Sequence, residues 1–187
     1  MNYKPEDGFP YYFDLVKHDD VRLLYSSLST FTFLNAINEE TSARRYAPGK
    51  WSIKQIVGHI TDHERIKIFR AFQLSRNEKI QLWGYDQNFL VDNSRFDELT
   101  LSQLVNDYLN VRKASSSFID TLSESQLRIK GSARQYEITL KDFLKSIIGH
   151  EIHHVNIIKE KYLWRRLRGN VNGKSLGDTV KKMELRW

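Results

Sequence analysis

Apolar side chains return every three or four residues in four stretches of the chain, the spacing of an amphipathic helix. The first stretch runs from about Asp20 to Glu40, with Leu24, Leu28, Phe31 and Leu34 on one stripe. The second runs from about Ile53 to Ser75. Ser52 supplies its N-cap and Gln55 stands three residues on, the pairing of a capping box, while Ile53, Ile56, Val57, Ile60 and Ile68 outline the apolar face. The third runs from about Leu101 to Leu122 and opens in the same way, with Thr100 and Gln103. Its stripe is Leu101, Leu104, Val105, Tyr108, Val111, Phe118, Ile119 and Leu122. The fourth runs from about Leu140 to Arg166, behind Thr139 as N-cap and Asp142 three residues later. Leu140, Phe143, Leu144, Ile147, Val155, Ile158 and Tyr162 form its stripe, and Gly169 marks its stop.

The connections 41–51 and 123–138 are of medium length, and Gln135 to Ile138 reads as extended. Residues 77–99 form a long loop that carries Trp83, Gly84, Tyr85, Asp86 and Gln87, and a loop of that length inside a compact domain is commonly functional. Four amphipathic helices with no alternating apolar runs between them predict an all-α, four-helix bundle with its long loop between helices 2 and 3. Residues 1–187 read as a single domain, its core at about 20–168, with a glycine-rich tail at 169–187.

The absence of cysteine removes disulfides, zinc–thiolate sites and a protein thiol nucleophile. The first residues, MNYKPEDGFPYYFDLV, lack the basic and apolar regions of a signal peptide. No apolar run approaches the ~18–20 residues that span a bilayer, so the expectation is a cytoplasmic protein with no membrane partner. The formal net charge of +6 raises nucleic acid as a partner. The basic residues are scattered, however, and the densest cluster, Arg165, Arg166 and Arg168, ends a predicted helix, where cations complement the dipole. A nucleic-acid-binding module is therefore the weakest reading.

Five of the six histidines fall in two predicted helices: His59 and His63 in the second, His150, His153 and His154 in the fourth. Residues four apart share a helix face, so His59/His63 and His150/His154 are both candidate ligand pairs. A pair on one helix with a residue from a facing helix gives three converging imidazoles and leaves positions open for water or substrate, as in catalytic metal sites. At about 100° per residue, His154 lies within about 60° of its stripe centre, His150 about 100° from it, and His153 roughly 160° away, outside the bundle. His63 sits nearer its stripe centre than His59, so periodicity does not choose between them. Imidazole suits zinc, nickel, copper or iron better than magnesium or calcium. Glu64, Arg112 and Glu151 are charged residues on apolar stripes, where an unpaired charge is costly. They read equally as a buried ion pair and as a polar pocket in which Glu151 or Glu64 moves a proton. The run Ser115 to Ser117 has no adjoining histidine and no nucleophile-elbow pattern, so it reads as packing and helix surface.

Four blocks carry a family resemblance. Tyr46-Ala47-Pro48-Gly49-Lys50-Trp51-Ser52-Ile53-Lys54, then Gly58-His59-Ile60-Thr61-Asp62-His63-Glu64-Arg65, Gly84-Tyr85-Asp86-Gln87 and Gly149-His150-Glu151-Ile152-His153-His154 resemble the DinB-like superfamily. The branch is DinB_2, which includes YfiT-like metal-dependent hydrolases, and the resemblance covers about residues 20–165. It implies a four-helix bundle holding a zinc- or nickel-type divalent ion. Carried over position by position, the Gly-His block gives His59 as a ligand, and the Gly-His-Glu-x-His-His block gives His150 and His154. His63 stands where the family usually has no ligand, and a fourth imidazole from it stays open. The resemblance further implies a metal-dependent hydrolase, or a transferase that uses a low-molecular-weight thiol. A non-catalytic metal-binding or sensing protein is the alternative. The expected partner is a small-molecule substrate, and bundles of this sort can pair into homodimers through exposed apolar faces.

Overall fold

Ser52, Thr100 and Thr139 each accept a hydrogen bond from the backbone N–H three residues on, so three of the four predicted helices begin where their caps place them. The computed structural model describes residues 3–79, 84–133 and 136–163. In chain order their helices are α1 (Phe9–Asp14), α2 (Val21–Ser26), α3 (Ser29–Asn35), α4 (Glu39–Ser42), α5 (Ile53–Ser75), α6 (Gln87–Asp92), α7 (Leu101–Asp120), α8 (Glu124–Leu127) and α9 (Leu140–Ile157). A 3-10 turn at Phe96–Glu98 follows α6, and a π-helical segment, Ile158–Leu163, prolongs α9.

The first predicted helix is broken. Ser27 turns to an extended conformation (ψ 132°) after α2, and its hydroxyl bonds the Ser29 hydroxyl at 3.0 Å. Serine and threonine side chains compete for backbone groups and so favour helix ends. Asn38, whose side chain accepts from the Thr41 N–H at 2.8 Å, then caps α4 as a separate turn. The break shifts the buried face: Val21 and Tyr25 are covered, whereas Leu28, placed on the stripe by periodicity, is 59% exposed. At the other end the regular α-helix gives way after Ile157 to the π-helical segment, and the expected end near Arg166 lies outside the described residues. The proposed stop at Gly169, the tail, the cluster Arg165, Arg166 and Arg168, and Trp83 lie outside the described residues.

The connection before α9 folds into a hairpin. Strand β1 (Lys130–Ala133) pairs antiparallel with β2 (Tyr136–Thr139). The expected extended piece is β2, apart from Gln135, which lies outside the described residues. The long loop between α5 and α7 holds α6 and the 3-10 turn.

The bundle consists of the broken α2–α3 pair, α5, α7 and α9. Helix α5 packs on α7 and α9, α2 packs on the same two, and α3 joins α7. Helix α1 lies along α9 from outside. The buried apolar residues form two clusters. One holds Val21, Tyr25, Ala71, Leu74, Ile119 and Leu144. The other holds Phe31, Leu34, Ile53, Val57, Leu104, Tyr108 and Ile158. On every helix of the bundle a buried polar residue separates the two: Thr30, Glu64, Arg112 and Glu151. No helix among the described residues is long and apolar enough to cross a membrane.

Candidate metal centre

The polar layer is a bonded network. Arg112 donates from Nη2 to Glu64 Oε2 at 2.8 Å, from Nε to both Glu64 oxygens at 3.1 Å, and also to Glu151 Oε2. The Tyr108 hydroxyl donates to Glu151 Oε2 at 2.8 Å, and the Thr30 hydroxyl donates to Glu151 Oε1. The guanidinium carbon lies 5.1 Å from the Tyr25 ring centre, where the ring face attracts a cation. Burial pushes the Glu151 carboxyl up, but the Arg112 charge and the bonds from Thr30, Arg112 and Tyr108 outweigh it and hold it below the usual carboxylate range. Both nominated carboxylates, Glu64 and Glu151, are thus engaged with one guanidinium, and the bonding favours the ion-pair reading over a free base.

The histidines stand at the same level of α5 and α9. Glu64 directly follows His63, and Glu151 directly follows His150. His59, His150 and His154 are buried, and each offers a ligand nitrogen lying within 4.8 Å of the other two. The Nε2 atoms of His59 and His150 are 3.1 Å apart, and those of His154 and His150 are 3.2 Å apart. Three nitrogens about 2.0–2.1 Å from one tetrahedral ion stand roughly 3.3–3.4 Å from one another, so the two sides that meet at His150 match such a cage to within a few tenths of an ångström, and the third side, from His59 to His154, is no longer than 4.8 Å.

The electrostatics match that geometry. Burial depresses the His59 imidazole to about 4, with a further push from His153. Burial also sets His150 and His154 well below the ordinary histidine range, and the neighbouring imidazoles add to it. All three are neutral near pH 7 and keep a lone pair for a cation. The Nδ1 atoms of His150 and His154 are buried without a hydrogen-bond partner among the described residues. Neighbouring aromatic rings pack against both imidazoles.

Packing comes from three sides. Trp51 covers His59 with ring centres 4.9 Å apart, and stacks at 6.5 Å over His154. Tyr12 meets the edge of His150 at 5.2 Å. His63 lies flat against His150, centres 3.7 Å apart and planes 10° apart, and its Nδ1 shares a 2.7 Å hydrogen bond with the Tyr85 hydroxyl. His63 is thus next to the trio without joining it. His153 is not part of the trio; partly buried against α1, it bonds the Tyr11 hydroxyl through Nδ1 at 3.0 Å.

Each α5 and α9 ligand block opens with glycine because something passes close by. A methyl group on Gly58 would lie 2.5 Å from the Phe96 ring. On Gly149 it would meet the backbone of Tyr12. Tyr12, Trp51 and Tyr85 are parts of the site that residue-type reasoning passed over. The aromatic run Phe9-Pro10-Tyr11-Tyr12-Phe13 was the available signal for the first of them.

Two cavities reach this region. One of about 140 Å³ is bordered by Tyr12, His63, Lys67 and Phe143. The other, of about 220 Å³, is bordered by His154 itself, Trp51 and Lys50.

A family model, DinB_2, described as the DinB superfamily, matches residues 29–158. Comparison with curated protein sequences found no significant match. Among solved structures, the chain is similar to YfiT from Bacillus subtilis, described as a probable metal-dependent hydrolase with an unusual four-helix bundle topology. Identity is 16%, over 89% of this chain and 91% of that one, with a TM-score of 0.65. It is also similar to a mycothiol-dependent maleylpyruvate isomerase, at 13% identity over 83% of this chain and 62% of that one, with a TM-score of 0.56. At these identities the likeness concerns the fold.

Proposed function

The chain belongs to the DinB superfamily, and from that premise we propose that it is a metal-dependent enzyme that holds one divalent cation, zinc or nickel, on His59, His150 and His154. The observation that carries this reading is the convergence of three buried, neutral imidazole nitrogens at 3.1 and 3.2 Å spacing beside an open cavity. Neutral imidazoles suit such ions, and three protein ligands leave positions for substrate.

A divalent cation bound there supplies Lewis acidity, which polarises an electrophile or stabilises an anionic oxygen or sulfur nucleophile. The chain does the rest. Trp51 shields two of the ligand rings from solvent, and His154 borders the larger cavity. The reaction is hydrolysis of a small molecule or transfer of a low-molecular-weight thiol. With no cysteine in the chain, any sulfur nucleophile arrives as a co-substrate. Glu64 and Glu151 stay with Arg112 and hold α5 and α9 in place, rather than carrying protons, because each carboxylate is already bound by that guanidinium.

The test is elemental analysis of protein purified without added metal or chelator, followed by turnover of activated esters and of thiol–electrophile pairs. One metal ion per chain is expected, with turnover that is lost on chelation and in His154→Ala. A metal-free protein whose behaviour ignores added ions would sink the reading. Stoichiometric metal without turnover on either substrate class would instead favour a metal-binding or sensing protein.

A further inference from the structure

We infer that the cavity beside His154 binds the organic substrate as a small flat carboxylate, its charge held by Lys50 and its body lying against Trp51. The inference rests on the metal-centre reading, because only then does the His154 end of the cavity become a reacting end.

The cavity has one wall with a fixed shape. Residues 45 to 52 form a closed loop whose ends, Arg45 and Ser52, make a β-bridge. Inside it the Lys50 N–H donates to the Ala47 carbonyl at 3.2 Å, and Arg45 Nη1 donates to the Lys50 carbonyl at 2.9 Å. Gly49 holds φ +70°, a conformation that L side chains rarely adopt. The backbone of Lys50 is therefore tied down on both sides. Trp51 is fixed as well: its carbonyl accepts the Tyr162 hydroxyl, and its indole rests on the rings of His59 and His154.

The charge on this wall is one-sided. Among the described lining residues, Lys50 carries the one formal charge, and no carboxylate borders the cavity. The carboxylate bonded to this loop, Asp97, is taken up by Arg45 at 2.7 Å and by the Ser52 hydroxyl at 2.6 Å. Lys50 itself has no ion-pair partner among the described residues. Across the cavity, Gln87 and Asn88 offer neutral amide groups. A single compact ammonium with amide neighbours suits a carboxylate, while phosphate recognition more often recruits the guanidinium fork. The cavity, about 220 Å³ and open to solvent, has room for the reacting part of a small molecule, and the aromatic wall favours a planar one.

Titration calorimetry on the metal-loaded full chain tests this, with benzoate as the probe, benzamide as its uncharged counterpart and phenyl phosphate as a second anion. Benzoate is expected to bind at least about tenfold more tightly than benzamide, the scale of one charge-assisted hydrogen bond. In Lys50→Met the preference should collapse while metal content stays at the wild-type level. Equal binding of benzoate and benzamide overturns the inference. So does a benzoate preference that survives Lys50→Met, which would place the carboxylate on the metal alone. Tighter binding of phenyl phosphate than of benzoate also overturns it. A chain that takes up no metal fails earlier, at the metal titration, and so separates failure of the metal-centre reading from failure of this one.

Discussion

Gly149 lies so close to Tyr12 that a methyl group on its Cα would stand 1.9 Å from the Tyr12 carbonyl oxygen. This contact lets α1 lie along α9 and brings the Tyr12 ring against His150, the next residue on α9. The neighbour is backbone, which cannot rotate away as a side chain could. Gly149→Ala should therefore lower stability by about 2 kcal/mol, as overpacking does, and the melting temperature by roughly 4–8 °C for a chain of this size. Thermal unfolding followed by circular dichroism checks it, and an unchanged midpoint would mean that α1 is not seated there.

The trio and its histidine neighbours should separate cleanly by substitution. His59→Ala, His150→Ala and His154→Ala each remove a nitrogen from the 4.8 Å cluster, whereas His153→Ala leaves the cluster intact. With cobalt as a spectroscopic stand-in, the visible absorption of a four-coordinate ion is expected in wild type and in His153→Ala, and should be absent or much weaker in the other three. His63→Ala should keep the coordination spectrum while loosening His150, whose face it covers. Loss of the spectrum in His63→Ala, with retention in His59→Ala, would reverse the assignment on α5.

Acid should destabilise the metal-free chain earlier than its carboxylates require. His59 is depressed from 6.5 to about 4 by burial, and burial likewise sets His150 and His154 well below the ordinary histidine range. Between those values the unfolded chain binds protons that the folded chain refuses, so stability falls as pH drops from about 6.5 towards 4. The slope reaches at most about 1.4 kcal/mol per pH unit for each histidine. Urea melts at a series of pH values measure it. Saturating divalent metal should raise the curve without changing its slope above about pH 4, because it binds only the folded state, whose histidines are already unprotonated there.

Arg112 holds two buried carboxylates, so removing it leaves both unpaired. Arg112→Leu should cost about 3–5 kcal/mol, as expected when one partner of a buried ion pair is lost. Replacing all three groups with apolar residues of similar volume should recover most of that loss. Chemical denaturation of the single and triple variants is the check, and a single variant as stable as wild type would show that the network is not closed in solution.

The starts of α5, α7 and α9 were legible because a hydroxyl cap with glutamine or aspartate three residues on is a local signal, written in adjacent residues. The histidine pairs were legible for the same reason, since four-residue spacing on a helix is itself a geometry. The facing of His59 rather than His63 was not, because it depends on how α5 is rotated against α9. The break at Ser27 was hidden beneath an unbroken apolar period. Strand β1, Lys-Gly-Ser-Ala, has no strand signature and exists through its pairing with β2. Helix α1, six residues and mostly aromatic, is too short to show a helical period, and contacts made across the chain define it.

The polar layer across the middle of the bundle also bears on accuracy. Oily surfaces can slide past one another with little penalty, and two separate apolar clusters would tolerate a helix shifted by a turn. A guanidinium matched to one carboxylate on α5 and another on α9 does not tolerate it, because a slip of either helix strands a charge in a dry interior. The height at which His59 meets His150 and His154 is thereby set by Glu64, Arg112 and Glu151, groups that need never touch the ion whose cage they keep in alignment.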